Sequence, residues 1–432
     1  MKNTYSLFLL VFLLIGLARE ACSQVSLVPS QPVDPSSSYH TIYKTTVHPS
    51  TSYTLSFPAE ATSLALQTEA SQVLNDVYIL AGKDTFLLKE EVHARETNTT
   101  GKLTSTLVIF SKPVTSIKFL SGSLSGEVVV HLLNAGQAQL DTKAYRRSQE
   151  TTDCMKPATI SQNIWRTGLP APAQLPEASQ VAHIIVHHSA TSNNVTDYTA
   201  AVRNIYLYHT QVNGWNDIGY NFLVAPDGTI FEGRDGRDQL EEDNVLGAHF
   251  CAKNRGTMGI CMLGTFTSTA PTSKALEALV SLTSWKMQKE NLNPLNSALH
   301  PLNNTSASLL NVLAGHRDGC NTECPGTATY ALLPQLRLQV KSQMEACQEP
   351  LAQQITIYPQ PASREVFINV ANDQEIRACR IYDVTGKLHT MVAGKITTNQ
   401  VRLDTHNLAA GMYILHVQLG DNTYFTHKLL VL

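Results

Sequence analysis

The segment Ile184-Ile-Val-His-His-Ser-Ala190 joins a run of apolar residues to a pair of histidines. A continuous apolar run of this kind is typical of a strand that is buried on both faces of a sheet. Successive strand residues point to opposite faces, so His187 and His188 are expected on opposite sides of the sheet where this strand ends. Only one of the two can therefore face a site on a given side.

A second segment, Gly315-His-Arg-Asp-Gly-Cys-Asn-Thr-Glu-Cys-Pro-Gly326, has the composition of a loop and places His316 and Cys324 eight residues apart. One strand-end histidine together with His316 and Cys324 would give three protein ligands for zinc and leave the fourth tetrahedral position to water, as catalytic zinc requires. Spacing alone leaves an alternative open. In it the strand histidine is a hydrogen-bonded core residue, and Cys320 and Cys324 are disulfide halves.

The sequence around these segments predicts one α/β domain, residues 151–349. Strand-like runs at Tyr220–Val224 and Met258–Leu263 alternate with helical periodicity in Asp197–Gln211 and Thr272–Asn291. Asp197 is a possible N-cap of the first helix, and Ser273 or Thr272 of the second. Strands that alternate with helices predict a mixed sheet flanked by helices.

The flanking regions have strand patterns without helical periodicity, so the chain is predicted to be multidomain. Residues 24–150 contain short β-branched runs between Ser, Thr and Gly breaks, which is typical of a β-sandwich-like domain. Residues 355–432 repeat this pattern after a short linker and predict a small β-sandwich. Neither region shows a catalytic constellation.

Composition and the first residues indicate the compartment. The 432 residues carry 32 basic and 35 acidic side chains, a net charge of −3 that gives no electrostatic case for nucleic acid. Lys2 precedes an apolar stretch, Leu7–Leu17, that is too short to span a bilayer and suits a secretory signal peptide. We expect a signal peptide of residues 1–23, an exported chain without a later transmembrane segment, and a compartment that permits disulfides.

The central domain resembles the type 2 N-acetylmuramoyl-L-alanine amidases, which include phage amidase lysozymes and animal peptidoglycan recognition proteins. The resemblance rests on ordered motifs: Ile185-Val-His-His-Ser-Ala190, Gly214-Trp-Asn-Asp-Ile-Gly-Tyr-Asn-Phe222, Pro226-Asp-Gly-Thr-Ile-Phe-Glu-Gly-Arg234, Gly247-Ala-His249, Met258-Gly-Ile260, Gly315-His-Arg-Asp318 and Glu323-Cys-Pro-Gly326. It implies a zinc enzyme that hydrolyses the amide between the lactyl group of N-acetylmuramic acid and L-alanine. It places the zinc ligands on His187, His316 and Cys324.

The same resemblance implies roles for residues beside the metal. Tyr220 matches the family tyrosine that orients water or donates to the developing oxyanion, and Thr322 matches a position that is lysine in some relatives and threonine in others. His249 matches a motif position that could line a substrate groove or be an ordinary structural histidine. Arg234 and Asn254 match positions that we expect to hold loops.

The last region resembles the C-terminal sorting domain of the type IX secretion system. The matching features are Ile357-Tyr-Pro-Gln-Pro-Ala-Ser363, Ile381-Tyr-Asp-Val-Thr-Gly386, Leu408-Ala-Ala-Gly-Met-Tyr-Ile-Leu415 and the terminal Thr426-His-Lys-Leu-Leu-Val-Leu432. The motif usually has asparagine where Gln360 stands. The resemblance implies export through the periplasm to the cell surface or the medium, with the type IX machinery as a partner.

Taken together, the motifs predict an exported zinc amidase that acts on peptidoglycan or muropeptides. The alternative is a non-catalytic peptidoglycan-binding or adhesion protein, because some family members have lost the cysteine ligand. Among the remaining cysteines, Cys154 and Cys347 bracket the amidase domain and could form a disulfide that closes a long loop.

Overall fold

The computed structural model describes residues 25–27, 38–91, 101–136, 155–301, 307–347, 355–370, 376–396, 400–419 and 424–432. The predicted signal peptide, residues 1–23, and Cys154 lie outside these described residues. The chain forms two compact units, one that ends at Met344 and one that begins at Glu345. No helix within the described ranges has the length and apolar character needed to cross a membrane.

The first unit begins with an eight-stranded sheet. Its strands are β1 (Val25–Leu27), β2 (His40–Val47), β3 (Ser52–Glu69), β4 (Tyr78–Ala81), β5 (Asp84–Leu87), β6 (Lys102–Thr104), β7 (Val108–Leu120) and β8 (Gly126–Leu133). They pair in the order β2-β8-β3-β7-β4-β5, with β1 and β6 also on β3. The region is β-rich as expected, but hydrogen bonds join all eight strands into one sheet instead of two, because the long β3 shifts register between Ser56 and Ala61 and continues across the sheet.

The rest of the first unit is the predicted α/β domain. Its elements are α1 (Gln162–Trp165), β9 (His183–His188), α2 (Tyr198–Leu207), β10 (Phe222–Val224), β11 (Ile230–Glu232), β12 (Thr257–Met262), α3 (Ser273–Lys289), β13 (Ser297–His300), β14 (Ser308–Asn311), β15 (Leu313–Gly315) and α4 (Thr327–Cys347). Five strands form a mixed sheet in the order β11-β10-β12-β9-β15, in which only β10 and β11 are antiparallel. The expected fold class of this domain is confirmed.

Helices cover the mixed sheet on both faces. Asp197 caps α2 by accepting a hydrogen bond from the Ala200 N–H at 2.9 Å, and Thr272 caps α3 in the same way from the Ala275 N–H. The predicted first helix continues past α2 as a π-helical turn, Tyr208–Val212. Apolar residues of α3 and α4 pack on one face of the sheet, and α2 packs on the other.

Helix α2 lies between the N-terminal sheet and the mixed sheet of the first unit. Ile205 and Tyr206 share one apolar core with Ala65, Ile109 and Leu133 of the N-terminal sheet. The two regions therefore fold around a common interior, and the boundary predicted near residue 150 falls in a part of the chain outside the described residues.

The second unit is a two-layer β structure, as the sequence predicts. Its strands are β16 (Ile355–Tyr358), β17 (Glu365–Val370), β18 (Ile376–Asp383), β19 (Leu388–Ile396), β20 (Gln400–Asp404), β21 (Gly411–Leu419) and β22 (Tyr424–Val431). They form a three-stranded sheet, β16-β17-β20, and a four-stranded sheet, β19-β18-β21-β22. Side chains of both sheets, such as Ile368 and Leu415, share one core.

Candidate metal centre

Two neighbouring strands bring His187 and His316 together. Strand β15 runs parallel to β9 with Gly315 opposite Val186, so the next residue of each chain segment, His316 and His187, leaves the same edge of the sheet side by side. The two imidazole rings lie 4.5 Å apart between centroids. The Asp318 carboxylate accepts a hydrogen bond from the Gly315 N–H at 2.8 Å and fixes the short helical turn that begins at His316.

Cys324 reaches this pair from the following loop. Its sulfur lies 3.7 Å from His187 Nδ1 and accepts a hydrogen bond from the His188 N–H at 3.3 Å. The Arg317 N–H donates to the Cys324 carbonyl at 3.0 Å and closes the loop. The ligand atoms of His187, His316 and Cys324 all lie within 4.8 Å of one another, and Cys324 is only 4% exposed.

The chemistry of these three side chains fits zinc. Zinc–nitrogen and zinc–sulfur bonds of about 2.0 and 2.3 Å at a tetrahedral angle would separate the two donor atoms by about 3.5 Å, close to the observed spacing. Two imidazoles and a thiol select zinc over the oxygen-seeking Mg²⁺ and Ca²⁺. Burial raises the pKa of the Cys324 thiol well above its ordinary value, so its thiolate requires a cation beside it.

The other ring nitrogen of His187 is held by a chain of hydrogen bonds. The Thr257 hydroxyl donates to the Asn254 carbonyl at 2.7 Å, so its oxygen accepts from His249 Nε2–H at 3.3 Å. His249 Nδ1 is then unprotonated and accepts from His187 Nε2–H at 3.0 Å. This order leaves His187 Nδ1, the atom that faces Cys324, with the lone pair that a metal ligand needs.

His249 itself is only 2% exposed, within the fold beside His187. Its predicted place in a substrate groove stays a prediction, and its observed contacts are those of a positioning residue. The Asn254 side chain accepts hydrogen bonds from the N–H groups of His249 and Phe250 at 2.7 and 2.8 Å, which is the expected loop-holding arrangement.

Tyr220 and Thr322 lie beside the candidate ligands. The Tyr220 ring centroid is 5.2 Å from that of His187. Burial above all, with the thiols of Cys261 and Cys324, raises the pKa of Tyr220, so it keeps its proton and can donate it. Thr322 is half-buried, and its hydroxyl oxygen accepts from the Cys324 N–H at 3.2 Å. The catalytic roles of both residues remain predictions.

The structure resolves most of the alternatives for the cysteines. Cys251 pairs with Cys320, so Cys320 is half of a disulfide, but Cys324 is a free thiol and its place in a disulfide is wrong. This pairing also occupies a second group of potential ligands formed by Cys251, Cys320 and His316. Cys347 is disulfide-bonded, but because Cys154 lies outside the described residues the pairing of these two stays a prediction.

Three further residues, His188, His209 and Cys261, lie near the candidate metal centre. His188 turns to the opposite face of the sheet, where its Nδ1 accepts from the Phe266 N–H at 3.2 Å. His209 packs against Trp215 with ring centroids 4.6 Å apart. Cys261, which the sequence did not single out, stands directly opposite His187 in the β12–β9 register.

Comparison with known proteins identifies the family. Residues 177–327 match the family described as N-acetylmuramoyl-L-alanine amidase. Peptidoglycan-recognition protein SC2 of Drosophila simulans is 33% identical over 172 residues, which are 39% of this chain and 80% of that protein. The chain belongs to the N-acetylmuramoyl-L-alanine amidase and peptidoglycan-recognition protein family.

Other members of this family match the chain over similar shares of its length. The human N-acetylmuramoyl-L-alanine amidase is 30% identical over 208 residues, which are 46% of this chain but only 32% of that protein. A solved structure of peptidoglycan recognition protein LE in complex with tracheal cytotoxin, a monomeric diaminopimelic acid-type peptidoglycan, is 28% identical, covers 41% of this chain and 93% of that one, and has a TM-score of 0.33.

Residues 356–432 match the secretion system C-terminal sorting domain, so the predicted sorting domain is confirmed.

Proposed function

We propose that this family member is a zinc-dependent N-acetylmuramoyl-L-alanine amidase that cleaves the lactyl amide between N-acetylmuramic acid and L-alanine in peptidoglycan. One observation supports this above the others. His187, His316 and Cys324 converge with their donor atoms within 4.8 Å, beside the protonated hydroxyl of Tyr220. A member that only recognises peptidoglycan has no need of this complete set.

Side chains around the candidate metal centre would each have a separate role in amide hydrolysis. When bound to the three ligands, zinc supplies Lewis acidity and a water of lowered pKa. His249 keeps His187 in the tautomer that presents Nδ1. Tyr220 donates a hydrogen bond to the oxyanion that develops from the scissile carbonyl, and the Thr322 hydroxyl, held by the Cys324 N–H, assists as a neutral donor.

The sorting domain supports an exported enzyme. We propose that the type IX machinery delivers the chain to the cell surface or the medium, where peptidoglycan or released muropeptides are its substrates. The second candidate, a non-catalytic recognition or adhesion protein, is favoured by the name of the Drosophila relative. The two differ in one measurable respect, the release of stem peptides.

The test uses the chain without its predicted signal peptide, because the N-terminal sheet and the amidase domain share a core. We expect about one zinc per chain and release of free stem peptides from purified sacculi. Cys324→Ala should lose both. Cys379→Ala, which removes another buried free thiol in the core of the sorting domain, should lose neither. Zinc-free wild-type protein that binds sacculi without releasing peptides would favour the recognition protein and refute the amidase.

A further inference from the structure

A short antiparallel ladder at the edge of the N-terminal sheet sets the direction of an acidic side chain. The Thr106 N–H donates to the Lys89 carbonyl at 2.7 Å, and the Glu91 N–H donates to the Thr104 carbonyl at 2.8 Å. Glu90 stands opposite Ser105 between these bonds. Because side chains alternate along an extended segment, Lys89 and Glu91 share one face, and Glu90 points the other way.

That face is turned toward the loop of the candidate metal centre. Lys89 Nζ lies 3.6 Å from the carboxylate of Glu323, the residue directly before Cys324. The Tyr208 hydroxyl, at the end of α2, donates to the Ser105 carbonyl at 2.6 Å and holds the ladder against the amidase domain. This exposed ion pair contributes little stability. Its position shows that the face of the ladder shared by Lys89 and Glu91 lies beside the loop that carries Cys324.

The electrostatics of the site agree with this placement. The charge of Glu91 is among the causes that raise the pKa of Tyr220, of Cys324 and of Cys261, although burial is the largest cause in each case. These three side chains surround the candidate centre from different elements. This agrees with the geometry of the ladder, in which the face shared by Lys89 and Glu91 is the one that contacts Glu323.

Amide hydrolysis needs a group that carries a proton. A proton must leave the attacking water, and the departing nitrogen must gain one. Among the described residues, the candidate ligand set contains no carboxylate, and the hydroxyls of Tyr220 and Thr322 are donors instead of bases.

We propose that the N-terminal sheet completes the active site and that Glu91 is its proton carrier. This inference rests on the proposed amidase function. As the water oxygen bonds to the carbonyl carbon, its O–H bond breaks and the proton passes to the Glu91 carboxylate. When the C–N bond breaks, Glu91 returns that proton to the leaving amine, so the carboxylate is regenerated and no other reactant is consumed.

The test compares Glu91→Gln with Glu90→Gln in the chain without its predicted signal peptide. Both variants remove one carboxylate from the same ladder, but only Glu91 lies on the face from which Lys89 contacts Glu323. We expect Glu91→Gln to lower kcat for peptide release by roughly 10²- to 10⁴-fold, the usual contribution of general acid–base catalysis, with KM and bound zinc unchanged. Glu90→Gln should retain wild-type kcat.

The outcomes separate the two proposals. An active wild-type protein with equal kcat in both variants would overturn the role of Glu91 and leave the amidase intact. A rise in KM alone, or a loss of zinc from Glu91→Gln, would also overturn it, since a proton carrier is not required for binding substrate or metal. A wild-type protein that releases no peptide would refute the amidase, and the role of Glu91 with it.

Discussion

Replacement of His249 by leucine should weaken zinc binding without altering any ligand. The variant removes the acceptor of the 3.0 Å hydrogen bond from His187 Nε2–H, and His187 is fully buried. A buried donor without a partner costs about 1–3 kcal/mol. The His187 ring could avoid this cost by rotating or by changing its tautomer. Either change would withdraw His187 Nδ1 from the metal, so the cost would appear as a lower affinity for zinc.

The magnitude follows from two independent estimates. A cost of about 1–3 kcal/mol corresponds to a loss of roughly 5- to 150-fold in affinity, since each 1.4 kcal/mol is tenfold. Replacement of residues that orient metal-binding histidines typically costs about 10- to 100-fold. We therefore expect the zinc dissociation constant of His249→Leu to rise by about 10- to 100-fold.

Thr257→Val provides a graded control. Valine has nearly the shape of threonine but cannot accept from His249 Nε2–H, so His249 remains beside His187 with its tautomer no longer fixed. Its loss of affinity should lie between those of the wild type and His249→Leu. Both variants keep the three ligand side chains.

The assay is competition for zinc against a chromophoric chelator, with the thermal midpoint of the zinc-free proteins as a check on folding. Unchanged zinc affinity in a folded His249→Leu variant would refute the relay. A larger loss in Thr257→Val than in His249→Leu would refute the proposed order of donors and acceptors.

Three further predictions concern stability. Cys251→Ser with Cys320→Ser should lower the free energy of unfolding by about 4 kcal/mol in the chain-entropy model, given a separation of 69 residues, and an unchanged urea midpoint would contradict this. Burial lowers the pKa of His131 to about 3, below the unfolded value of 6.5, so the unfolded state binds the extra proton and stability falls as pH decreases between these values. Urea unfolding should show a loss of about 2 kcal/mol from this group between pH 6.5 and 5, and this dependence should flatten in His131→Gln. Asn204→Ala leaves the buried Ser63 hydroxyl without its acceptor at 2.7 Å and should lower the free energy of unfolding by about 1–3 kcal/mol, measured in the same way; a cost near zero would argue against the contact between α2 and the N-terminal sheet.

The convergence of the three candidate ligands could be predicted from sequence because each lies in a local motif. Strand alternation puts His187 and His188 on opposite faces, and the family pattern then selects His187 and pairs it with His316 and Cys324. The position of His249 beside His187 depends on a loop 62 residues away that Asn254 holds in place. No local pattern records such a contact.

The disulfide pairing of the cysteines could not be predicted from sequence either. Their spacing left a disulfide open at both Cys320 and Cys324, whereas the loop after His249 carries Cys251 to a Cα–Cα distance of 6.0 Å from Cys320. The position of Cys261 could not be predicted either, because its place opposite His187 follows from the pairing of β12 with β9. Pairings between distant segments are fixed by packing, and residue spacing does not encode them.

The sequence pattern predicts a domain boundary near residue 150. In the structure, however, residues from both sides of that boundary share one apolar core. Arg203 of α2 donates to the Ala135 carbonyl at 2.8 Å, and Asn204 accepts from Ser63, so truncation at residue 151 would expose apolar and polar faces that the N-terminal sheet covers. Another contact of this region, the hydrogen bond from the Tyr208 hydroxyl to the Ser105 carbonyl, holds the ladder that carries Glu91 against the amidase domain. A truncated domain without zinc or activity would therefore report lost packing as readily as missing chemistry, and single substitutions in the longer chain are the experiments that can separate the two.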